Sequence, residues 1–323
     1  MSKKRPTVSV VIPTFKQTHL MRTAVQSLFT QDLPHDDYEA VVVDSSPDDA
    51  NQRVVEELAT SAPFSLRCLR KKPEGPGPSR NLGAAATTGE FIAFMDSDCA
   101  ATPGWVRAGA AAFANGIGIV QGRTLPDPAG KPSNHTWYLR VEQETPYYET
   151  ANVFYRREAF EQSGGFPGDL HPTKDKHMGG EDVVAAWNTI RKGWKTRFCA
   201  EALVYHAIIP LPFHRLFFIK HNFVVPWLVG MFPELRRFMY ARYFLNRAQA
   251  LVTLLVAAAM LGVSVHWGFW LLALPYALAR FWEPATTMGG LLRPVRLFAH
   301  LTRDLLTFAI LTAGSIRYRC VLL

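Results

Sequence analysis

FIAFMDSD, residues 91–98, joins five consecutive apolar residues to two carboxylates, Asp96 and Asp98, with one serine between them. A strand with no polar residue is what a parallel sheet covered on both faces requires, and ligands on such sheets gather at the carboxyl ends of the strands. Two acids one residue apart at such an end repel each other unless a cation joins them. A hard divalent ion, Mg²⁺ or Mn²⁺, accepts both carboxylates and bridges them to the phosphates of a nucleotide diphosphate. A solvated turn with acidic caps carries the same short pattern, so its neighbours must decide.

Upstream, the strand-and-helix unit recurs. Residues 8–12 are a β-branched run closed by Pro13, and Thr18 precedes a helical pattern with Leu20, Ala24 and Leu28 at four-residue intervals. Residues 38–43 repeat the apolar run and end in Asp44, before a turn of Ser45, Ser46, Pro47 and Asp48 and a helix over 54–58. Residues 66–69 give a third strand, followed by the breaker-rich KKPEGPGPS and a helix beginning near Arg80. This alternation predicts a right-handed, mostly parallel α/β sheet. Downstream, Thr102-Pro103 predicts a helix through Phe113. The pattern then becomes mixed: strands over 117–122, 152–155 and 203–206, a short helix over 157–162 ended by Gly164-Gly165, and a helix opened by Gly180-Glu181-Asp182 and stopped by Gly193.

The chain has 323 residues, 48% of them apolar, ample for a core. Charged and turn-forming residues fill roughly the first 205 positions, whereas the last third is rich in Leu, Ala, Phe and Trp with arginines at the edges of the runs. The net charge of +8 suits a polyphosphate substrate or anionic lipid headgroups. Nucleic acid is not among the expected partners, for there is no basic helix with interleaved aromatics and no zinc spacing. Cys68, Cys99, Cys199 and Cys320 stand far apart, which fits a reducing compartment. MSKKRP leads directly into a strand pattern without an apolar signal stretch, so the front domain is expected in the cytoplasm.

Residues 248–265 are eighteen without a charge, and 267–281 follow with only Arg280. Each run is near the lower limit for crossing a hydrocarbon core of about 30 Å, and together they predict a helical hairpin. Arg236, Arg237, Arg242 and Arg247 precede it and Arg280, Arg293, Arg296 and Arg303 follow, placing both flanks on the cytoplasmic side. Residues 213–232 mix His214, Arg215 and Lys220 with Phe217, Phe218, Trp227 and Phe232, the composition of a helix in the headgroup zone. Residues 305–313 form a third, shallower candidate; a pair of helices buried in a soluble protein is the competing reading. The expected organisation is thus a catalytic domain over 1–207, an interfacial helical segment over 208–245, and a membrane hairpin with a basic amphipathic tail over 246–323.

Asp44 and Arg80 are each unremarkable alone. Both fall near the carboxyl ends of predicted strands, on the sheet edge that carries Asp96 and Asp98. A carboxylate after the second strand suits the imide or amino hydrogens of a base, and an arginine near a helix N-terminus suits a departing diphosphate. Glu181 and Asp182 sit at a helix N-terminus, where exposed amides hold a carboxylate in place. A base for an attacking hydroxyl fits Asp182 first, with Glu181 either binding acceptor hydroxyls or serving as the base itself; helix capping is the plain alternative.

Six ordered blocks, VSVVIPTFKQ, VVVDSSPDD, GPSRNLGAAATTGEFIAFMDSD, NVFYRREAFEQSGGF, GGEDVVAAW and VYHA, covering about residues 7–206, resemble the family 2 glycosyltransferases of the GT-A fold. That resemblance implies an inverting, hexosyltransferase-like enzyme, metal-dependent through Mn²⁺ or Mg²⁺, that moves a sugar from a nucleotide-diphosphate donor to a lipid-linked or glycan acceptor. It implies that Pro13, Thr14 and Asp44 line the base and ribose pocket and that Arg80 sits by the base or diphosphate. Asp96 would contact the ribose or phosphate side, with Asp98 as metal ligand, Asp182 as general base and His206 as a further metal ligand. The C-terminal third resembles the tails of membrane-associated bacterial members, at the cytoplasmic face of the cell membrane. The family often carries an acid and an arginine where Val184 and Asn188 stand here, four apart on one helix face, so a supporting ion pair is missing. A nucleotidyltransferase would want a Gly-rich triphosphate loop where PTFKQTHL stands, and a catalytically silent sugar-nucleotide-binding membrane protein would not need the intact acids.

Overall fold

The computed structural model describes residues 7–133, 136–168, 179–210, 220–282 and 293–323. The chain divides into two compact units, Met1–Pro132 with Trp137–Ile209, and Ser133–Thr136 with Pro210–Leu323.

The first unit is built on an eight-stranded mixed sheet. In chain order the elements through residue 206 are β1 (Val8–Thr14), α1 (Thr18–Ser27), β2 (Tyr38–Asp44), α2 (Ala50–Ala59), β3 (Ser65–Arg70), α3 (Pro76–Ala85), β4 (Phe91–Met95), β5 (Cys99–Ala101), α4 (Trp105–Ala111), β6 (Ile117–Pro126), the two-residue β7 (Thr136–Trp137), which lies outside this sheet, β8 (Asn152–Arg156), α5 (Arg157–Gln162), α6 (Glu181–Arg191) and β9 (Lys195–His206). The strand order is β3-β2-β1-β4-β8-β6-β9-β5. The first four neighbours in that order run parallel, β8 is antiparallel to both β4 and β6, β9 is parallel to β6, and β5 is antiparallel to β9.

Every residue of β1, β2 and β4 is buried, as largely apolar strands covered on both faces require, and the buried Ser9 hydroxyl donates to Glu39 Oε1 at 2.9 Å. Side chains alternate between those faces. Val10 and Ile12 pack with Met21, Ala24 and Val25 of α1 and with Val55 and Leu58 of α2. Val11, Val41 and Val43 point the other way, to Ala84 of α3 and Ala185 and Ala186 of α6. Helix α3 lies so close to the sheet that a Cβ on Gly83 would stand 2.4 Å from Val11 Cγ1.

The expected βα alternation is present, with three differences. Helix α3 begins at Pro76, inside the breaker-rich stretch, so Arg80 lies in its second turn rather than near its start, because prolines are tolerated in a first helical turn. A strand, β5, occupies residues 99–101, so α4 begins at Trp105 and ends at Ala111 rather than running from Thr102 through Phe113. The last strand spans twelve residues, Lys195–His206, not four. Three residues are too few to show a period. Lys195, Arg197 and Glu201 in β9 face outward, and these charges mask its strand pattern. Between β6 and β9 the register breaks at Gly122/Arg123. There the buried Asn152 accepts from Trp105 Nε1 at 2.8 Å and donates to the carbonyls of Arg123 and Ala202 at 2.7 and 2.8 Å. The irregular backbone therefore keeps its hydrogen bonds.

The second unit is helical: a 3₁₀ turn Lys220–Val224, α7 (Val225–Met231), α8 (Arg247–Ser264), a 3₁₀ turn Trp267–Ala273, α9 (Leu274–Phe281) and α10 (Arg293–Tyr318). Asn246 caps α8, its side chain accepting from Gln249 N at 3.1 Å. Among the described residues α8 is the one helix long and apolar enough to cross a membrane, with a mean hydropathy of 1.6. The second arm of the expected hairpin is a 3₁₀ turn followed by the eight residues of α9. At about 1.5 Å per residue that helix is about 12 Å long. Residues 305–313 lie within α10. Of the expected interfacial segment, 211–219 lie outside the described residues.

Several apolar side chains of this unit are exposed and a few polar ones are buried. Met260, Val263 and Val265 are 62%, 80% and 66% exposed, while Gln249 and Asp304 are 2% and 3% exposed. Tyr276 Oη and Arg280 Nε each donate to Asp304 Oδ2 at 2.9 Å, joining α9 to α10.

Candidate functional site

Parallel register aligns the carboxyl ends of the first strands: Thr14 faces Asp44, and Asp44 faces Arg70. β4 ends beside them, so Asp96 and Asp98 join the same edge. A cleft of about 360 Å³ opens there, lined by Pro13, Thr14, Ser45, Gly75, Ser79, Arg80, Asp96 and Asp98 among others. Asp44, Glu181, Asp182 and His206 are not on its described wall. Asp44 is fully buried beside Ser45; its Oδ1 accepts from Ser46 N at 2.9 Å and Asn51 Nδ2 at 3.0 Å. Its Oδ2 has no hydrogen-bond partner, with Arg70 Nε 3.8 Å away, and Thr14 Oγ1 is likewise unsatisfied. Buried polar atoms left unpaired cost free energy, so both are unusual at the carboxyl ends of β1 and β2.

Arg80 is the hub. Its Nη2 meets Asp96 Oδ1 at 2.7 Å and its Nη1 meets Glu181 Oε1 at 3.1 Å, while the guanidinium carbon stands 5.6 Å from the centroid of Phe166. Burial opposes its charge, but Asp96 and Glu181 outweigh that and hold it above the ordinary arginine value. Nε keeps no partner. One guanidinium thus gathers the strand-end acids and the acids that open α6.

That helix begins where Gly180 adopts φ 100°, a left-handed conformation that any other residue reaches only with strain. Val183 N donates to Asp182 Oδ1 at 2.8 Å. Burial, then the charge of Glu181, pushes the Asp182 carboxyl well above its usual range, against the pull of that amide and of Arg80.

At the other end of the site, β5 pairs with β9 so that Cys99 faces His206. His206 is 1% exposed, and its Nε2 stands 3.6 Å from Asp98 Oδ1. Nδ1 lies 2.7 Å from the Ala207 carbonyl, which only accepts. In the neutral ring this places the proton on Nδ1 and the lone pair on Nε2, toward the carboxylate. Burial, then Asp96, raises the Asp98 carboxyl, with His206 opposing. Asp98, Cys99 and His206 each offer a donor atom, all within 4.8 Å of one another. Two electron-rich atoms facing each other suit a divalent cation, so the donor set fits one.

All the sequence-predicted residues thus lie at this sheet edge or on the helix that Arg80 ties to it. Sequence reasoning missed Asn51, which holds Asp44, and the Ser45–Ser79 hydroxyl contact of 3.0 Å. It also missed Phe166 beneath Arg80, although Phe166 closes the quoted block NVFYRREAFEQSGGF. Cys99 adjoins Asp98 in sequence, but its place depends on a strand too short to predict.

Residues 9–168 match the model of a family described as glycosyl transferase family 2. Over 205 residues the sequence is 24% identical to glycosyltransferase AglE of Haloferax volcanii, covering 59% of this chain and 67% of that protein. Over 90 residues it is 33% identical to poly(ribitol-phosphate) beta-N-acetylglucosaminyltransferase TarS of Staphylococcus aureus, covering 28% of this chain but only 16% of TarS. The fold is similar to that of mannosyltransferase PcManGT from Pyrobaculum calidifontis, solved with GDP-Man and Mn²⁺, at a TM-score of 0.66 and 21% identity over 94% of this chain and 88% of that one.

Proposed function

Since residues 9–168 make this chain a member of glycosyl transferase family 2, we propose that it transfers a hexosyl unit, with inversion, from a nucleotide-diphosphate sugar to a hydroxyl of a lipid-linked or glycan acceptor. The observation that carries this reading is the double tie of Arg80 to Asp96 and Glu181, which links an acid of the cleft wall to the helix end that carries Glu181 and Asp182. The mannosyltransferase of similar fold, solved with GDP-Man and Mn²⁺, supports the choice of a nucleotide sugar and a divalent ion.

In this reading the orphan Asp44 Oδ2 receives hydrogens of the base, and Pro13 and Thr14 line the ribose side. Arg80 exchanges part of its hold on Asp96 for a diphosphate oxygen and stabilises the leaving group. Asp98 and His206, with Asp96 beside them, would hold Mn²⁺ or Mg²⁺, which would supply charge neutralisation on the diphosphate. Asp182 takes the proton of the acceptor hydroxyl as that oxygen bonds to the anomeric carbon and the bond from that carbon to the diphosphate oxygen breaks on the opposite face. Its raised basicity serves the task, because a carboxylate that holds its proton more tightly is the stronger base. Glu181, held by Arg80, keeps the helix terminus in place and is positioned to bind acceptor hydroxyls.

The proposed organisation is a catalytic region over 1–207, an interfacial segment over 208–245 and a membrane-seated region over 246–323, on the cytoplasmic face. Support comes from the second unit taken alone, where Met260, Val263 and Val265 are exposed together with Trp267, Trp270 and Trp282. Binding of UDP, GDP and dTDP to the full chain, with and without Mn²⁺ and beside Asp98→Ala, tests the donor half of this proposal. Metal-dependent binding of one nucleotide, lost in the variant, is expected; failure of all three to bind overturns it.

A further inference from the structure

Asp96 and Asp98 do not share one environment. Asp96 Oδ1 is engaged by Arg80 at 2.7 Å, whereas Asp98 is grouped with His206 and with the thiol of Cys99. Cys99 and His206 are register partners in the antiparallel β5/β9 pair, so their side chains stand on the same face of the sheet. Cys99 Sγ is 3.9 Å from Asp98 Oδ1, and the cysteine is 2% exposed. Trp137 lies edge-on to His206 with 4.7 Å between ring centroids, adding an apolar wall. Independently of the sulfur, the Ala207 carbonyl orients the imidazole with Nε2 toward Asp98, the outer contact that a ligating histidine ordinarily makes.

We propose that Cys99 is a third donor to the cation position of Asp98 and His206, so that the site prefers thiophilic transition ions, of the Zn²⁺, Co²⁺ or Cd²⁺ kind, over Mg²⁺. This rests on the assignment of Asp98 and His206 as cation ligands. Oxygen-only sites select Mg²⁺ and Mn²⁺, while imidazole and sulfur donors select softer ions. A mixed oxygen, nitrogen and sulfur set leaves room for substrate oxygens to complete the coordination, as an open catalytic site requires. The alternative role of Cys99 is that of a small core residue, since it also touches the apolar cluster beneath the sheet.

The test is titration of the full chain with Cd²⁺, read by the ultraviolet thiolate-to-cadmium charge-transfer band, in a Cys68→Ser background that removes the half-exposed thiol. Cys99→Ser and Cys99→Ala are titrated in parallel, with circular dichroism to verify folding, and Mn²⁺ binding is followed by paramagnetic resonance. The expected result is a band in the parent that both variants lose, with Cd²⁺ affinity falling about tenfold or more and Mn²⁺ binding retained. Cd²⁺ and Mn²⁺ binding without a thiolate band, or a band that survives in Cys99→Ser, overturns the role of Cys99 and leaves Asp98 and His206 standing. Failure of both ions to bind overturns the cation assignment itself. Should both variants unfold, a parent in which Cys68, Cys199 and Cys320 are all replaced by serine, leaving Cys99 as the sole thiol, decides through presence or absence of the band.

Discussion

Arg80 Nη1 and Glu181 Oε1 lie 3.1 Å apart, although 101 positions separate them in the chain. Arg80 is 4% exposed, so removing its charge leaves Asp96 and Glu181 facing each other without compensation. Breaking a buried pair of this kind costs about 3 kcal/mol or more. Arg80→Ala is therefore expected to lose about that much in chemical denaturation and to lose nucleotide binding. Arg80→Lys, which keeps the charge but not the two-pronged geometry, should retain more stability than binding.

Asp182→Asn should lower kcat by about 10²–10⁴ while leaving the nucleotide affinity near that of the parent, the pattern of a lost general base. Turnover of the parent should rise with pH as Asp182 ionises. Stability should move the opposite way. Because folding raises this carboxyl, its contribution is complete below the unfolded value of about 3.9 and is lost as pH rises through the folded value. Melting temperatures followed from acid to neutral pH should fall in the parent relative to Asp182→Asn; a constant difference between the two would remove the argument from burial.

His206→Ala should weaken Mn²⁺ binding about tenfold or more, measured by calorimetry on the nucleotide-free protein. Since the Nδ1 contact to Ala207 orients the ring, His206→Gln, which presents one polar end only, should not restore it. Retained affinity in both variants would exclude the imidazole as a ligand.

Gly83→Ala tests the fold rather than the chemistry. The new methyl group would meet Val11 Cγ1 at 2.4 Å, so helix α3, which carries Arg80, must lift from the sheet. Overpacking of this kind costs about 1–3 kcal/mol. Donor affinity should fall with stability, in contrast to a surface glycine, where neither would change.

Flotation with vesicles containing anionic lipid should carry the full chain upward, and high salt should not release it if the apolar face of α8 is inserted. Complete release by salt would restrict the contact to the arginines.

The βα alternation at the front of the chain is legible because β1, β2 and β4 are covered on both faces, so their sequences are largely apolar, with only Ser9 and Glu39 inside β1 and β2 and Thr14 and Asp44 at their ends. Asp44, Arg80 and the acid pair follow from it, since strand ends converge on one edge. The lower half of the site is less legible. β5 is three residues long, and β9 alternates charged with apolar residues along its open stretch. β5 carries no run that marks it as a strand, and in β9 only residues 203–206 do, yet their pairing decides where His206 falls. Asn51 and Phe166 escaped because support of a functional side chain by a neighbour leaves no spacing to read.

The pairing of Cys99 with His206 has a consequence for synthesis. β9 is the last strand of the sheet to leave the ribosome, and until it slots between β6 and β5 the acids of β4 have no imidazole opposite them. Such distant pairing closes late, after the local βα units have formed. A nascent chain that ends after α5 therefore lacks both His206 and the Glu181 that Arg80 holds, so the two ends of this sheet edge meet only once β9 has paired.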